Sequence, residues 1–178
     1  MQIYDLRVVE AAGGFCRTGR PHFSWKLRSG KKDTKQVSFE LCVFRGGERV
    51  SSVRGNGECA YVLAEGEALL PRTRYEVRVT AEDNHGERAE EALVFETDKL
   101  SEPFAAKMIA PKQAPAPVYA LKAKFTAKKP VKSARLYATA LGLYECYFGG
   151  VKAGDSYFAP FWTSYSHTLE YQTYDVTS

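Results

Sequence analysis

The chain has 178 residues, 44% of them hydrophobic and 26% charged, with a formal net charge of +4 at pH 7. This balance excludes a disordered polymer, and so small a positive surplus does not imply a nucleic-acid partner. No apolar run approaches the roughly eighteen residues a membrane span needs, and the start MQIYDLRVVEAAGG lacks the basic-then-apolar layout of a signal peptide. As written, the chain is expected in the cytoplasm, without a membrane partner, and in the periplasm or outside the cell if a leader was removed.

Through residues 1–97 apolar residues alternate with period two between Gly-rich turns, the pattern of an all-β sandwich. Phe23, Trp25 and Leu27 fall on one face of HFSWKL, and Val37, Phe39, Leu41 and Val43 on one face of the next strand. Gly46-Gly47 supplies the positive backbone angles of a tight hairpin, with ERVSSV as its return strand. Tyr75, Val77, Val79 and Ala81 share the inner face of RYEVRVTAED; Asn84-His85-Gly86 turns the chain, and Leu93 and Phe95 point inward from EALVFET. Just before that pair, Leu69-x-Pro71-x-Thr73-x-Tyr75 has the form of a tyrosine corner, in which a tyrosine hydroxyl bonds back to upstream backbone. With Trp25 as the large residue on an early strand, the segment resembles a fibronectin type III or immunoglobulin-like sandwich. That fold hosts many unrelated roles, so it does not define a function.

Residues 98–117 break the period and hold four prolines, 103, 111, 115 and 117, as a semi-rigid linker would. Phe104, Met108 and Ile109 are the residues able to pin it to a neighbouring domain. Alternation resumes at Tyr119, Leu121, Ala123 and Phe125, then at Ala134, Leu136, Ala138 and Ala140, predicting two strands. Lys122, Lys124, Lys128, Lys129, Lys132 and Arg135 lie in a stretch free of acids. No aromatic platforms are interleaved at these positions, so they read as guards of a strand edge, and no nucleic acid is expected. The four cysteines, Cys16, Cys42, Cys59 and Cys146, form no CxxC pair and have no histidine cluster beside them, which argues against zinc and for reduced, packed thiols.

Eleven aromatic residues crowd into residues 133–177. The order is Ala134-Arg135-Leu136-Tyr137, Thr139-Ala140-Leu141-Gly142-Leu143-Tyr144-Glu145, Gly149-Gly150-Val151-Lys152-Ala153-Gly154-Asp155, Ala159-Pro160-Phe161-Trp162-Thr163-Ser164-Tyr165 and Tyr171-Gln172-Thr173-Tyr174-Asp175-Val176-Thr177. It closely resembles the N-terminal accessory domain of bacterial α-L-rhamnosidases, glycoside hydrolase family 78. Upstream, Arg20-Pro21-His22-Phe23-Ser24-Trp25-Lys26-Leu27 resembles the RPxFSWxL that begins the fibronectin-like domain of those enzymes. The implied architecture is a sandwich over 1–97, the linker 98–117, and over 118–178 the first strands of a jelly-roll-like sandwich that continues past this sequence.

The resemblance implies a multidomain enzyme that releases terminal α-L-rhamnose with inversion on an (α/α)6 barrel. That barrel would be the partner of this segment within one parent chain. Inversion needs two carboxyl groups spaced around a water. Glu145, Asp155, Glu170 and Asp175 are available, but the family places its catalytic acids in the barrel, so no catalytic residue is assigned here. A substrate-recognition role would fall on Trp162, Tyr165, Tyr157 and Asp155, since sugars stack their C–H faces on aromatic rings while carboxylates bond their hydroxyls. Some members carry a calcium-dependent rhamnose module, and only Asp155 and its turn offer a calcium donor; no other cofactor is expected. Where the family has Asn-Gly after the Tyr144 strand, this chain has Gly149-Gly150, which forms the same turn without the amide. Against direct sugar contact stands ordinary packing: Tyr144, Cys146 and Phe148 alternate as a buried face would, and Tyr171 and Tyr174 fall on opposite faces of a strand. A stand-alone carbohydrate-binding or adhesion module is the alternative. Strands left unpaired at 133–177 would favour self-association.

Overall fold

The period-two pattern of residues 1–97 becomes a two-sheet sandwich because each strand offers one apolar face, and only a second sheet can keep water from it. The structure is a computed structural model describing residues 1–58, 60–63, 65–112 and 118–177; Cys59, Pro115 and Pro117 lie outside the described residues. The chain forms two units, Met1–Glu102 and Pro103–Ser178.

In the first unit the strands are β1 (Gln2–Val8), β2 (Ala11–Ala12), β3 (Phe15–Cys16), β4 (His22–Arg28), β5 (Gln36–Arg45), β6 (Glu48–Asn56), β7 (Tyr61–Leu63), β8 (Arg74–Asp83) and β9 (Arg88–Thr97). One sheet has the order β1-β4-β7 and the other β2-β3-β9-β8-β5-β6. Neighbours are antiparallel except β3 and β9, which run parallel through Phe15 and Glu96. The two inner faces meet in aromatic pairs: Phe23 stands edge-on to Phe95 with centroids 5.7 Å apart, and Trp25 to Phe39 at 5.2 Å. Leu41, Val43, Val77 and Val79 fill the space between and are fully buried. Each such side chain contributes about 1.5–3 kcal/mol relative to exposure. Gly46 and Gly47 have φ of 59° and 88°, the left-handed pair that turns β5 into β6.

Val37 departs from the expected alternation and is 40% exposed. A register shift between Gln36 and Ser38 in the β5–β8 pairing turns Val37 outward and Gln36 inward. Gln36 is buried as a consequence; its Oε1 accepts the Trp25 Nε1–H at 2.9 Å and its Nε2 donates to Gly57 O at 3.0 Å. The indole nitrogen of the core is thereby satisfied.

The tyrosine corner forms as expected, the Leu70 N–H donating to the Tyr75 hydroxyl at 2.8 Å. Thr97 Oγ1 ties down the same bend by donating to Leu70 O at 2.6 Å and accepting the Thr73 N–H at 3.0 Å. Residues just past β9 stay with this unit: the Asp98 N–H donates to Cys16 O at 2.8 Å, and Arg72 pairs with Glu102 at 2.6 Å.

The second unit contains β10 (Arg135–Ala138) paired antiparallel with β13 (Gln172–Asp175), and a small hairpin of β11 (Tyr147–Phe148) and β12 (Val151–Lys152). Gly149 and Gly150, at φ 59° and 88°, repeat the turn of the first unit. Phe104 from the proline-rich stretch meets Tyr171 edge-on at 5.6 Å, while Met108 and Ile109 are exposed. Of the two strands expected after residue 118, the second forms as β10. The first does not: residues 119–125 are irregular, and Leu121 and Phe125 are exposed. Alternation alone makes no strand, because a strand also needs another strand beside it to complete its ladder, and no strand pairs with 119–125 among the described residues. Cys146 likewise precedes β11 instead of lying in a strand. Cys16, Cys42 and Cys146 carry free thiols, and burial pushes all three above the usual thiol range.

Candidate functional site

The aromatic stretch of the second unit divides into a buried polar base and an exposed loop. At the base, the Tyr144 hydroxyl lies 2.9 Å from Gln172 Oε1, 3.1 Å from Ala138 O and 3.2 Å from the Tyr174 hydroxyl. Burial, reinforced by the Tyr174 hydroxyl, drives the Tyr144 phenol far above its usual range, so it stays protonated. Tyr144 also pairs its backbone with Ala159: the Tyr144 N–H donates to Ala159 O at 2.8 Å. Gln172 Nε2 reaches Pro160 O at 3.4 Å. These contacts hold Ala159 and Pro160, both buried, as the root of the loop.

On either side of that root the backbone is unusual. Phe158 has φ 56° and Phe161 φ 81°, left-handed values that cost a bulky residue about 1–3 kcal/mol. Both phenyl rings are exposed, as are Tyr157 and Trp162, the latter at 86%. Apolar burial therefore does not explain the conformation. A buried polar anchor holds the strained backbone while the four rings face outward. Sequence reasoning singled out Trp162 and Tyr157 but missed Phe158 and Phe161. Their one available signal was the repeated aromatic residue around Ala159-Pro160.

The four predicted residues have different immediate surroundings. Lys152 Nζ lies 5.1 Å from the Tyr157 ring centroid, a cation–π contact. The Tyr165 hydroxyl accepts the Gly142 N–H at 2.9 Å and so braces another turn. Asp155 is exposed and follows Gly154, whose φ is 73° and where a Cβ would come within 2.6 Å of the Tyr174 ring. No hydrogen bond or ring contact joins any two of the four side chains among the described residues. Calcium takes about six to eight oxygen ligands with carboxylates among them. Among the described residues no three or more His, Cys, Asp or Glu gather where they could hold a metal ion. Nor are all the acids available for other work. Glu145 pairs with Lys152 at 2.6 Å, which holds its carboxyl below the usual range. Asp175 is lowered first by its bond from Thr177 and further by Arg135 at 2.8 Å.

The fold thus defines an all-β module, an immunoglobulin-like sandwich followed by a second β unit with exposed aromatic rings. Two family models match it in succession: the Rha78A-like N-terminal immunoglobulin domain over residues 5–101, and the α-L-rhamnosidase N-terminal domain over residues 129–178. The chain belongs to the Rha78A-like N-terminal immunoglobulin family, and its two matches are those of the N-terminal region of glycoside hydrolase family 78 α-L-rhamnosidases. Among solved structures, the α-L-rhamnosidase of Dictyoglumus thermophilum aligns over 99% of this chain and 23% of its own, at 26% identity and a TM-score of 0.86. The Aspergillus terreus α-L-rhamnosidase aligns over 99% of this chain and 22% of its own, at 29% identity and a TM-score of 0.81. An α-L-rhamnosidase of Streptomyces avermitilis is 58% identical over 50 residues, 28% of this chain and 5% of that protein. The chain therefore spans less than a quarter of the length of each of these relatives.

Proposed function

We propose that this chain is a non-catalytic N-terminal segment of an α-L-rhamnosidase, serving to position the catalytic (α/α)6 barrel of the same parent chain and to present an aromatic surface to rhamnose-bearing substrate. The observation that carries this is the extent of the structural likeness: 99% of the chain aligns with less than a quarter of two solved α-L-rhamnosidases. A non-catalytic role agrees with the state of the local acids. Glu145 and Asp175 are each engaged by a cation, whereas inverting hydrolysis needs two carboxyls flanking a water at roughly 6.5–9.5 Å. Recognition is assigned to Trp162, Tyr165, Tyr157 and Asp155, with Trp162 foremost because its indole is the most exposed of the large apolar side chains in the unit.

A domain exchange tests the positioning role. The matching segment of the Dictyoglumus thermophilum enzyme is deleted in one variant and replaced by these 178 residues in another. Loss of soluble, active α-L-rhamnosidase on deletion and its recovery in the chimera are expected; a deletion variant with full activity and stability overturns the role. The isolated chain is expected to leave an aryl α-L-rhamnoside unhydrolysed, and turnover above that of an identically purified blank would refute the reading. For recognition, titration with L-rhamnose should shift amide resonances around Trp162 in the native chain and not in Trp162→Ala.

A further inference from the structure

The outward face of the β1-β4-β7 sheet carries a groove of about 520 Å³, lined among others by Asp5, Arg7, Ser24, Lys26 and Tyr61. Nothing in the proposed function uses it, and its residues all belong to the first unit. The groove exists because of an irregularity in β1. Tyr4 pairs with Lys26 and Arg7 with Ser24, so Asp5 and Leu6 together oppose Trp25, and Asp5 adopts φ 53°. In a regular strand Arg7 would share the buried face of Ile3. The bulge instead returns Arg7 to the outer face while both Ile3 and Val8 remain buried. Bulged edge strands also discourage edge-to-edge pairing, but that need does not dictate which side chains the bulge turns outward.

Those side chains are held in place before any ligand arrives. Arg7 Nε donates to Ser24 Oγ at 3.0 Å, which fixes the guanidinium plane and leaves its terminal nitrogens without a partner among the described residues. Lys26 and Asp5 pair at 2.7 Å. Arg7 also bears on the Asp5 carboxylate, and the three charged lining side chains together carry one net positive charge. Beside them Tyr61 is 55% exposed. His22 stacks on its ring at 4.7 Å and an interplanar angle of 21°, and Glu10 fixes His22 through Nδ1 at 2.6 Å and the backbone N–H at 2.8 Å. The result is an oriented aromatic platform, an oriented guanidinium fork and an ion pair able to bond hydroxyls, along one sheet face.

We infer that this groove binds a carboxylate-bearing sugar, with Arg7 gripping the carboxylate, Tyr61 stacking on the C–H face of the ring, and Asp5 with Lys26 bonding its hydroxyls. The fork geometry of arginine matches a carboxylate bidentately, and the net positive charge of the lining favours an anionic sugar over a neutral one. The inference goes beyond the rhamnosidase reading and does not depend on it.

The test uses the full 178-residue chain labelled with nitrogen-15, titrated into the tens of millimolar with methyl β-D-glucuronide, methyl β-D-glucoside or sodium acetate. The two glycosides differ only in carrying a carboxylate or a hydroxymethyl group. The glucuronide is expected to shift amides of β1, β4 and β7 saturably, with the glucoside and acetate each binding at least about tenfold more weakly. Arg7→Gln and Tyr61→Ala should each weaken the glucuronide about tenfold. Both side chains are exposed, so an unchanged far-UV spectrum keeps the comparison valid. Arg7→Lys should recover part of the affinity at most, because it restores the charge without the fork. No saturable shift, equal binding of the glucoside, acetate binding as strongly as the glucuronide, or indifference to Arg7→Gln would each overturn the inference. Loss of rhamnose shifts at Trp162 would leave it untouched.

Discussion

Removing one oxygen from the tyrosine corner measures how far the first unit relies on it. Tyr75 is 2% exposed and its hydroxyl accepts the Leu70 N–H at 2.8 Å. Tyr75→Phe keeps the ring in its stack with Phe95, whose centroid lies 5.7 Å away, so packing is conserved and the hydrogen bond alone is lost. A typical hydrogen bond contributes about 1 kcal/mol net, and a donor left without an acceptor in a partly buried bend raises the cost to about 1.5–3 kcal/mol. In a domain of this size each kcal/mol lowers Tm by about 4–8 °C, so a fall of about 6 °C or more is expected. Native-state amide exchange at Val77 and Val79, in the middle of β8, gives the matching free energy, since such amides exchange only when the whole unit opens. A variant within about 0.5 kcal/mol of the parent at both positions refutes the argument, because it would mean that water or a relaxed backbone replaces the hydroxyl without cost.

Gln36→Leu preserves volume but strips the acceptor from the Trp25 indole; a loss of about 1–3 kcal/mol in urea unfolding is expected. Gly154→Ala combines a φ of 73° with a Cβ placed against the Tyr174 ring; it should destabilise the second unit by about 1–3 kcal/mol, seen as faster exchange in β10 and β13 with β8 unaffected. Glu87 supplies a pH signature. Its hydrogen bond with Lys31, joined by the Met1 ammonium, holds its carboxyl down from 4.5 to about 2. The folded chain therefore binds fewer protons there than the unfolded one, and the stabilisation is fully present above the unfolded value and disappears as pH falls through about 2. Glu87→Gln should flatten stability across that window and leave the rest of the acid profile unchanged.

Local signals in the sequence were enough for the parts of the fold that local chemistry dictates. Leu69 to Tyr75 announced the corner because a proline, a threonine and a tyrosine at fixed spacing must satisfy one bend. The two Gly-Gly hairpins were legible because few other residues reach their φ values. Features set by a distant partner were not. The bulge that exchanges Val37 for Gln36 depends on register against β8, the parallel pairing of β3 depends on β9, and residues 119–125 have the pattern of a strand but join no sheet among the described residues. In the candidate site, Trp162 and Tyr157 were singled out as rings on which a sugar could stack. The strain at Phe158 and Phe161 arises from the buried anchor of Tyr144, Gln172 and Pro160, which meets only after folding. The groove beside Arg7 was hidden for the same reason, since an unbroken alternation puts that arginine inside.

The chain has two tryptophans, one in each unit, and their surroundings are opposite: Trp25 is buried in the first core and Trp162 stands in solvent. The molecule therefore carries two independent optical reporters. Trp25 should emit toward the blue and resist acrylamide until its sandwich unfolds, whereas Trp162 should emit red-shifted light that acrylamide quenches freely in the native state. Melting of one unit and occupancy of the other can thus be followed in a single unlabelled sample.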